Sequence, residues 1–211
     1  MKIDRTKNAG RNIVFGCMLK IYQIVMPFIM RTLMIYYMGI QYLGLNSLFT
    51  SILQVLNLAE LGVGSAMVYS MYKPIAVDDK KMICALMKLY RTYYRVIGII
   101  IAFLGLCLVP FIPKLIKSDV PADINIYVLY ILNLSVTVLS YWLFAYKNCL
   151  LDAHQRTDVA SKVTLVTNTL QYIVQFFTLC ILKNYYAYII VSLAAQALTN
   201  ILTAVVATRM Y

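Results

Sequence analysis

Six stretches of the chain are apolar over helical lengths: residues 13–37, 48–71, 83–112, 124–146, 163–182 and 186–208. A helix needs about 20 predominantly apolar residues to cross the hydrocarbon of a bilayer. The runs are too long for strands and show no alternation of period two, which argues against a barrel. The third is most apolar over 96–112, yet its helical pattern starts near Lys81. There Lys88, Arg91 and Arg95 fall at i, i+3 and i+7, one cationic stripe on one helix face. The pattern predicts an all-α fold, a polytopic bundle of about six membrane-spanning helices. The connections are short, which predicts antiparallel neighbours. The longest expected loops are 72–81 and 147–162, and Pro110, Pro113 and Pro121 mark the turn between the third and fourth spans. No linker divides residues 1–211, so a single transmembrane domain is expected.

Composition supports lipid as the solvent. Hydrophobic residues make up 62% of the 211 and charged residues only 13%, about half the charged share of a soluble domain. Mean hydropathy is +0.77. A chain this short of charge cannot cover a water-facing surface. The N-terminal cations precede an apolar run longer than a signal-peptide core, so that run reads as the first span.

The formal charge of +11 comes from 19 basic and 8 acidic residues. In a soluble protein it would suggest nucleic acid. Here the cations sit between apolar runs and set orientation instead. Fourteen of them fall on one side of the expected bundle and three on the other, with Lys20 and Arg31 inside the first span. The positive-inside rule then places both termini in the cytosol, and no nucleic-acid partner is expected. The five cysteines form no CxxC pair and lie mostly in apolar runs, which predicts free thiols. His154 stands alone and reads as a solvated loop residue. No metal ligand set or cofactor motif is present.

Ionisable groups inside a span are costly and need a reason. Lys20 and Arg31 are 11 residues apart, about three turns, and so share a helix face, with Pro27 between them. Glu60 lies in the second span at a depth within roughly 6 Å of Lys20, which permits an ion pair between adjacent helices. Arg31 has two readings: snorkelling to the outer headgroups, or facing a hydrated cavity where its guanidinium meets an anionic substrate. The stripe of Lys88, Arg91 and Arg95 either anchors to anionic lipids or forms a mouth that collects a pyrophosphate lipid. The second span, with Gln54, Asn57, Glu60, Gly62, Gly64 and Ser65, is too polar to face lipid.

The run NLAELGVGSAMVYSMYKPIAVDDKKMICALMKLYRTYYRVIG, with the opening RNIVFGCMLKIYQIVMPFIMRTLMIYYMGIQYLGLNSLF, resembles bacterial polysaccharide flippases. These belong to the multidrug/oligosaccharidyl-lipid/polysaccharide superfamily. The resemblance covers about residues 11–115 well and the remainder in topology. It implies a bacterial cytoplasmic-membrane transporter that moves polyprenyl-pyrophosphate-linked oligosaccharide outward, and not an enzyme. It also implies that the chain corresponds to one lobe of a MATE-like transporter, the N-terminal six helices, whose partner would be a second six-helix lobe. The expected partners are the lipid-linked oligosaccharide and membrane lipids. On that likeness Lys20, Arg31, Arg91 and Arg95 are the substrate-binding positions, with Glu60 as partner. A cation exporter of the same superfamily would favour cavity carboxylates, whereas the spans hold one Glu against two cations. A membrane enzyme would need carboxylates or a His at one interface, and the expected outer side offers only Asp119 and Asp123 in a short turn. A non-transporting membrane fragment is the fourth reading.

The orientation is testable directly. Reporter fusions at Asp79 and His154 should register inside, and those at Lys117 and Lys183 outside; an inside signal at Lys117 would contradict the six-span order.

Overall fold

The computed structural model describes residues 5–57, 62–116, 120–121 and 123–210. Among these the regular structure is entirely helical: α1 (Arg5–Tyr37), α2 (Ile40–Asn57), α3 (Val63–Ala76), α4 (Lys80–Leu108), α5 (Ile112–Leu115), α6 (Ile126–Trp142), α7 (Asn148–Ala153), α8 (Thr157–Phe177) and α9 (Tyr185–Met210). A 3₁₀ turn, Val109–Phe111, joins α4 to α5, and α8 runs on through a π-helical turn, Thr178–Leu182. Four stretches are long and apolar enough to cross a membrane: Asn8–Tyr37, Lys80–Leu115, Thr157–Leu182 and Tyr185–Met210. A fifth is formed if Ile126–Trp142 and Ala145–Ala153, bent by 45° at their junction, act together. Their outward faces carry Phe28, Ile24, Phe103 and Ile181, each more than 60% exposed. Such faces require lipid around them. The molecule is a multi-pass membrane protein.

The chain reverses where backbone chemistry allows it. Helix α1 continues unbroken through Pro27 and stops at Gly39, whose φ of +110° only glycine adopts without strain. The amides of Met38 and Gly39 both return to the Met34 carbonyl, closing the helix end. Asp79 caps α4 by accepting from the Met82 amide at 3.0 Å. Helix α4 therefore starts at Lys80, matching the start expected from the cationic stripe.

Three expectations need correction. The first is the stretch 72–81: α3 runs to Ala76 and α4 begins at Lys80, so only residues 77–79 separate them. The stretch 147–162 is not a loop: it folds into a 3₁₀ turn, α7 and the first turn of α8. It does so because Cys149, Leu150, Leu151 and Ala153 bury their side chains against the bundle. His154 is correspondingly buried, with Nδ1 2.8 Å from the Leu150 carbonyl. Burial pushes its imidazole below the ordinary histidine value, and the carbonyl contact partly offsets this. Thirdly, 48–71 is not one described helix. Helix α2 is described as far as Asn57, and α3 starts after Gly62, which has a φ of +85°. Glu60 lies outside the described residues.

The core forms where α4 meets α6. A Cβ added at Gly105 would come within 2.4 Å of the Leu134 side chain, so any other residue there would force Leu134 to shift. Tyr130, fully buried, donates its hydroxyl to the Gly105 carbonyl at 3.0 Å and meets Phe49 edge-on at 5.6 Å. The aromatic mass fills the core while the hydroxyl stays satisfied.

Helix α1 lies at the edge of the bundle and packs chiefly along α8. Its N-terminal end is fastened by one fully buried carboxylate, Asp158, which accepts from Arg11 at 2.6 Å, Arg156 at 2.9 Å and Lys162 at 3.4 Å. Asn12 joins them: its amide donates to the Gln155 carbonyl and its oxygen accepts from the Asp158 amide. Arg156 supplies no side-chain cap to α8, so a residue nearly 150 positions away performs that role.

Removing Asp158 would leave Arg11, Arg156 and Lys162 without their shared anion. Asp158→Ala should destabilise the protein by about 3–5 kcal/mol, read as thermal unfolding in detergent. Arg11→Ala should lose clearly less, because two cations remain on the carboxylate. Equal losses from the two substitutions would contradict the shared-anion account.

Candidate functional site

A polar cavity of about 360 Å³ opens within the bundle between α1, α2, α6, α8 and α9. Helix α1 contributes Pro27, Met30, Arg31 and Met34, and α2 adds Asn46, Thr50, Gln54 and Asn57. From the other side come Asn133 and Thr137 of α6, Gln171 and Gln175 of α8, and Tyr188 and Ser192 of α9. On α2, α6, α8 and α9 these polar residues recur at spacings of three or four, which aligns them on one face of each helix.

The far wall is held rigidly. Gln175, buried, donates to the Ser192 hydroxyl at 2.7 Å and to the Tyr188 carbonyl at 3.2 Å. Gln171 approaches the same hydroxyl at 3.4 Å. On the near wall, Asn46 accepts from the Tyr185 hydroxyl at 3.1 Å, and Thr50 donates to the Asn46 carbonyl at 2.7 Å. Asn57 accepts from Tyr141 at 3.2 Å. The wall is thus a set of amides and hydroxyls already oriented by one another, able to bond water or ligand through their remaining positions.

Arg31 is the charged member of the lining. Its side chain is exposed, and the carboxylate pairs of the described residues all centre on Asp158, not on it. A guanidinium at membrane depth without an acid needs water or an anion beside it. Its five fixed donors suit a phosphate or carboxylate held by two parallel bonds. Tyr188 lies within electrostatic range of it across the cavity.

The structure gathers only one of the sequence-predicted positions here. Lys20 is exposed on the same face of α1, about 16 Å nearer its N-terminal end at 1.5 Å per residue, and takes no part in this lining. Arg91 and Arg95 are exposed on α4 with Lys88 and also lie away from it. The Lys20–Glu60 pairing falls outside the described residues. The far-wall amides Gln171 and Gln175, with Ser192, were not anticipated. Their faint signal was the four-residue spacing of the two Gln in QYIVQ, in a helix that already carries several Thr, Asn and Ser.

Comparison with family models, with curated proteins and with solved structures returned no match in any of the three. What fold and cavity define is a helical multi-pass membrane protein with a polar, cation-bearing chamber inside its bundle.

Proposed function

We propose that the protein is a transporter of the polysaccharide-biosynthesis type. It moves a polyprenyl-pyrophosphate-linked oligosaccharide from the inner to the outer leaflet of a bacterial cytoplasmic membrane. The observation carrying this reading is Arg31: a cation with no described carboxylate beside it, in a chamber whose other polar groups are amides and hydroxyls. A pyrophosphate supplies the missing anion and uses the guanidinium's paired donors. The absence of an acid from the described lining disfavours cationic cargo, which the exporter alternative would carry.

In this reading the bundle has six spans with both termini cytosolic, α2 and α3 together making the second. It acts as one lobe, and rocking of two such repeats about a shared site provides alternating access. Exposed Arg91 and Arg95 collect the headgroup at the cytosolic surface, Lys20 lies on its path along α1, and Glu60 balances Lys20. Anionic lipid at the cytosolic leaflet would also be held by that stripe, at about 1 kcal/mol per cation.

Binding of undecaprenyl pyrophosphate to the protein in nanodiscs tests the reading. A hydrogen bond to a charged group contributes about 1.5–3 kcal/mol, so Arg31→Gln should weaken binding by at least about tenfold. Arg31→Lys keeps the charge but loses the paired geometry, and should fall between. Unchanged affinity in Arg31→Gln, at equal folded fraction, would remove Arg31 from the mechanism. A snorkelling arginine gives that second result.

A further inference from the structure

The cytosolic half of the bundle holds a second, larger cavity of about 780 Å³, bounded by α3, α4, α6, α7 and α9. Its volume lies in the range of small-molecule sites, roughly 300–1,000 Å³. No lysine or arginine lines it, so it is built for something other than a phosphate.

Its chemistry is aromatic and amide-rich. Tyr69 and Tyr72, one turn apart on α3, are exposed and meet edge to face at 6.2 Å. Tyr94 and Tyr141, both buried, stack at 6.1 Å. The lining also includes Asp152 and Gln196. Gln196 donates to Asn200, which in turn donates to the Ser140 carbonyl at 2.9 Å. That chain fixes the Gln196 amide and leaves its carbonyl oxygen as an acceptor. The Asp152 carboxylate enters none of the ion pairs among the described residues.

A pyranose presents an apolar C–H face and a rim of hydroxyl donors. Exposed tyrosine rings match the first, and a carboxylate with an oriented amide carbonyl matches the second. The two cavities also adjoin. Asn57 lines the chamber of Arg31 and accepts a hydrogen bond from Tyr141, which lines this one. We propose that the aromatic cavity binds the sugar portion of the lipid-linked oligosaccharide, with pyranose rings on Tyr69 and Tyr72 and hydroxyls on Asp152 and Gln196. This rests on the transporter reading above, and divides the cargo into pyrophosphate beside Arg31 and glycan beside the tyrosines.

The test is saturation-transfer NMR on the protein in nanodiscs, with a panel of glucose, galactose, N-acetylglucosamine, N-acetylgalactosamine and their β-linked disaccharides. Transfer to ring C–H protons of at least one sugar is expected. Tyr72→Ala should weaken that binding roughly two- to tenfold, whereas Tyr72→Phe should retain it. Asp152→Asn should also weaken it, and Arg31→Gln should leave it intact. No transfer from any sugar overturns the proposal, since tyrosines that merely anchor to headgroups would give that result. Equal binding by wild type, Tyr72→Ala and Asp152→Asn overturns it too. So does binding of ethidium that depends on Asp152 in the absence of sugar binding. Sugar binding with undecaprenyl pyrophosphate ignored would remove the transporter reading and keep the sugar site; the converse would remove the sugar site alone.

Discussion

Lipid offers no hydrogen bonds, so each polar side chain inside this bundle must find a protein partner or keep water beside it. Asp158 and Arg31 show the two solutions. Asp158 has no exposed surface and is surrounded by three cations and an asparagine. Such a group is fastened, and it fastens in turn, tying the start of α1 to the start of α8. Arg31 is 20 residues further along the same helix and has no described acid. It is left open to whatever the cavity contains. One helix therefore has a fixed foot and an upper half that lines the chamber with Arg31.

The seam between the two cavities follows from the same constraint. Asn57 meets Tyr141, and Asn200 meets the Ser140 carbonyl, so α2, α6 and α9 are joined by hydrogen bonds where they would otherwise leave polar groups in hydrocarbon. Each such bond contributes modestly, on average about 0.6 kcal/mol in a membrane bundle. Close packing of α4 on α6 through Gly105 gives these bonds a rigid frame. Chambers on either side of the seam can thus differ in chemistry, one cationic and one aromatic, without a separate domain for each.

Much of the fold was legible because hydropathy is read over 20 residues at a time. The long apolar runs became α1, α4, α8 and α9, and the cationic stripe located the start of α4 correctly. The stretch 147–162 was misread because α7 is six residues long, below the length at which periodicity declares a helix. The start of α3 just after Gly62, at a positive φ, is not something composition alone reveals. Within the candidate site, Arg31 was legible because a charge in a span is conspicuous. Gln171, Gln175 and Ser192 were not, since each is unremarkable in its own helix and the chamber appears only when five helices meet. The Asp158 cluster was invisible for a related reason: Arg11 and Asp158 are 147 positions apart.

The central claim is that Arg31 stands in a hydrated chamber and not at the headgroup surface. In a cysteine-free background, single cysteines at Thr50 and Gln171, on opposite walls, should react with a small membrane-impermeant thiol reagent. A cysteine replacing Phe28, on the outer face of α1, should stay unreactive, and pyrophosphate should slow labelling at the two cavity positions only while Arg31 is present. Unreactive cysteines at both Thr50 and Gln171 would show a dry chamber and contradict the account.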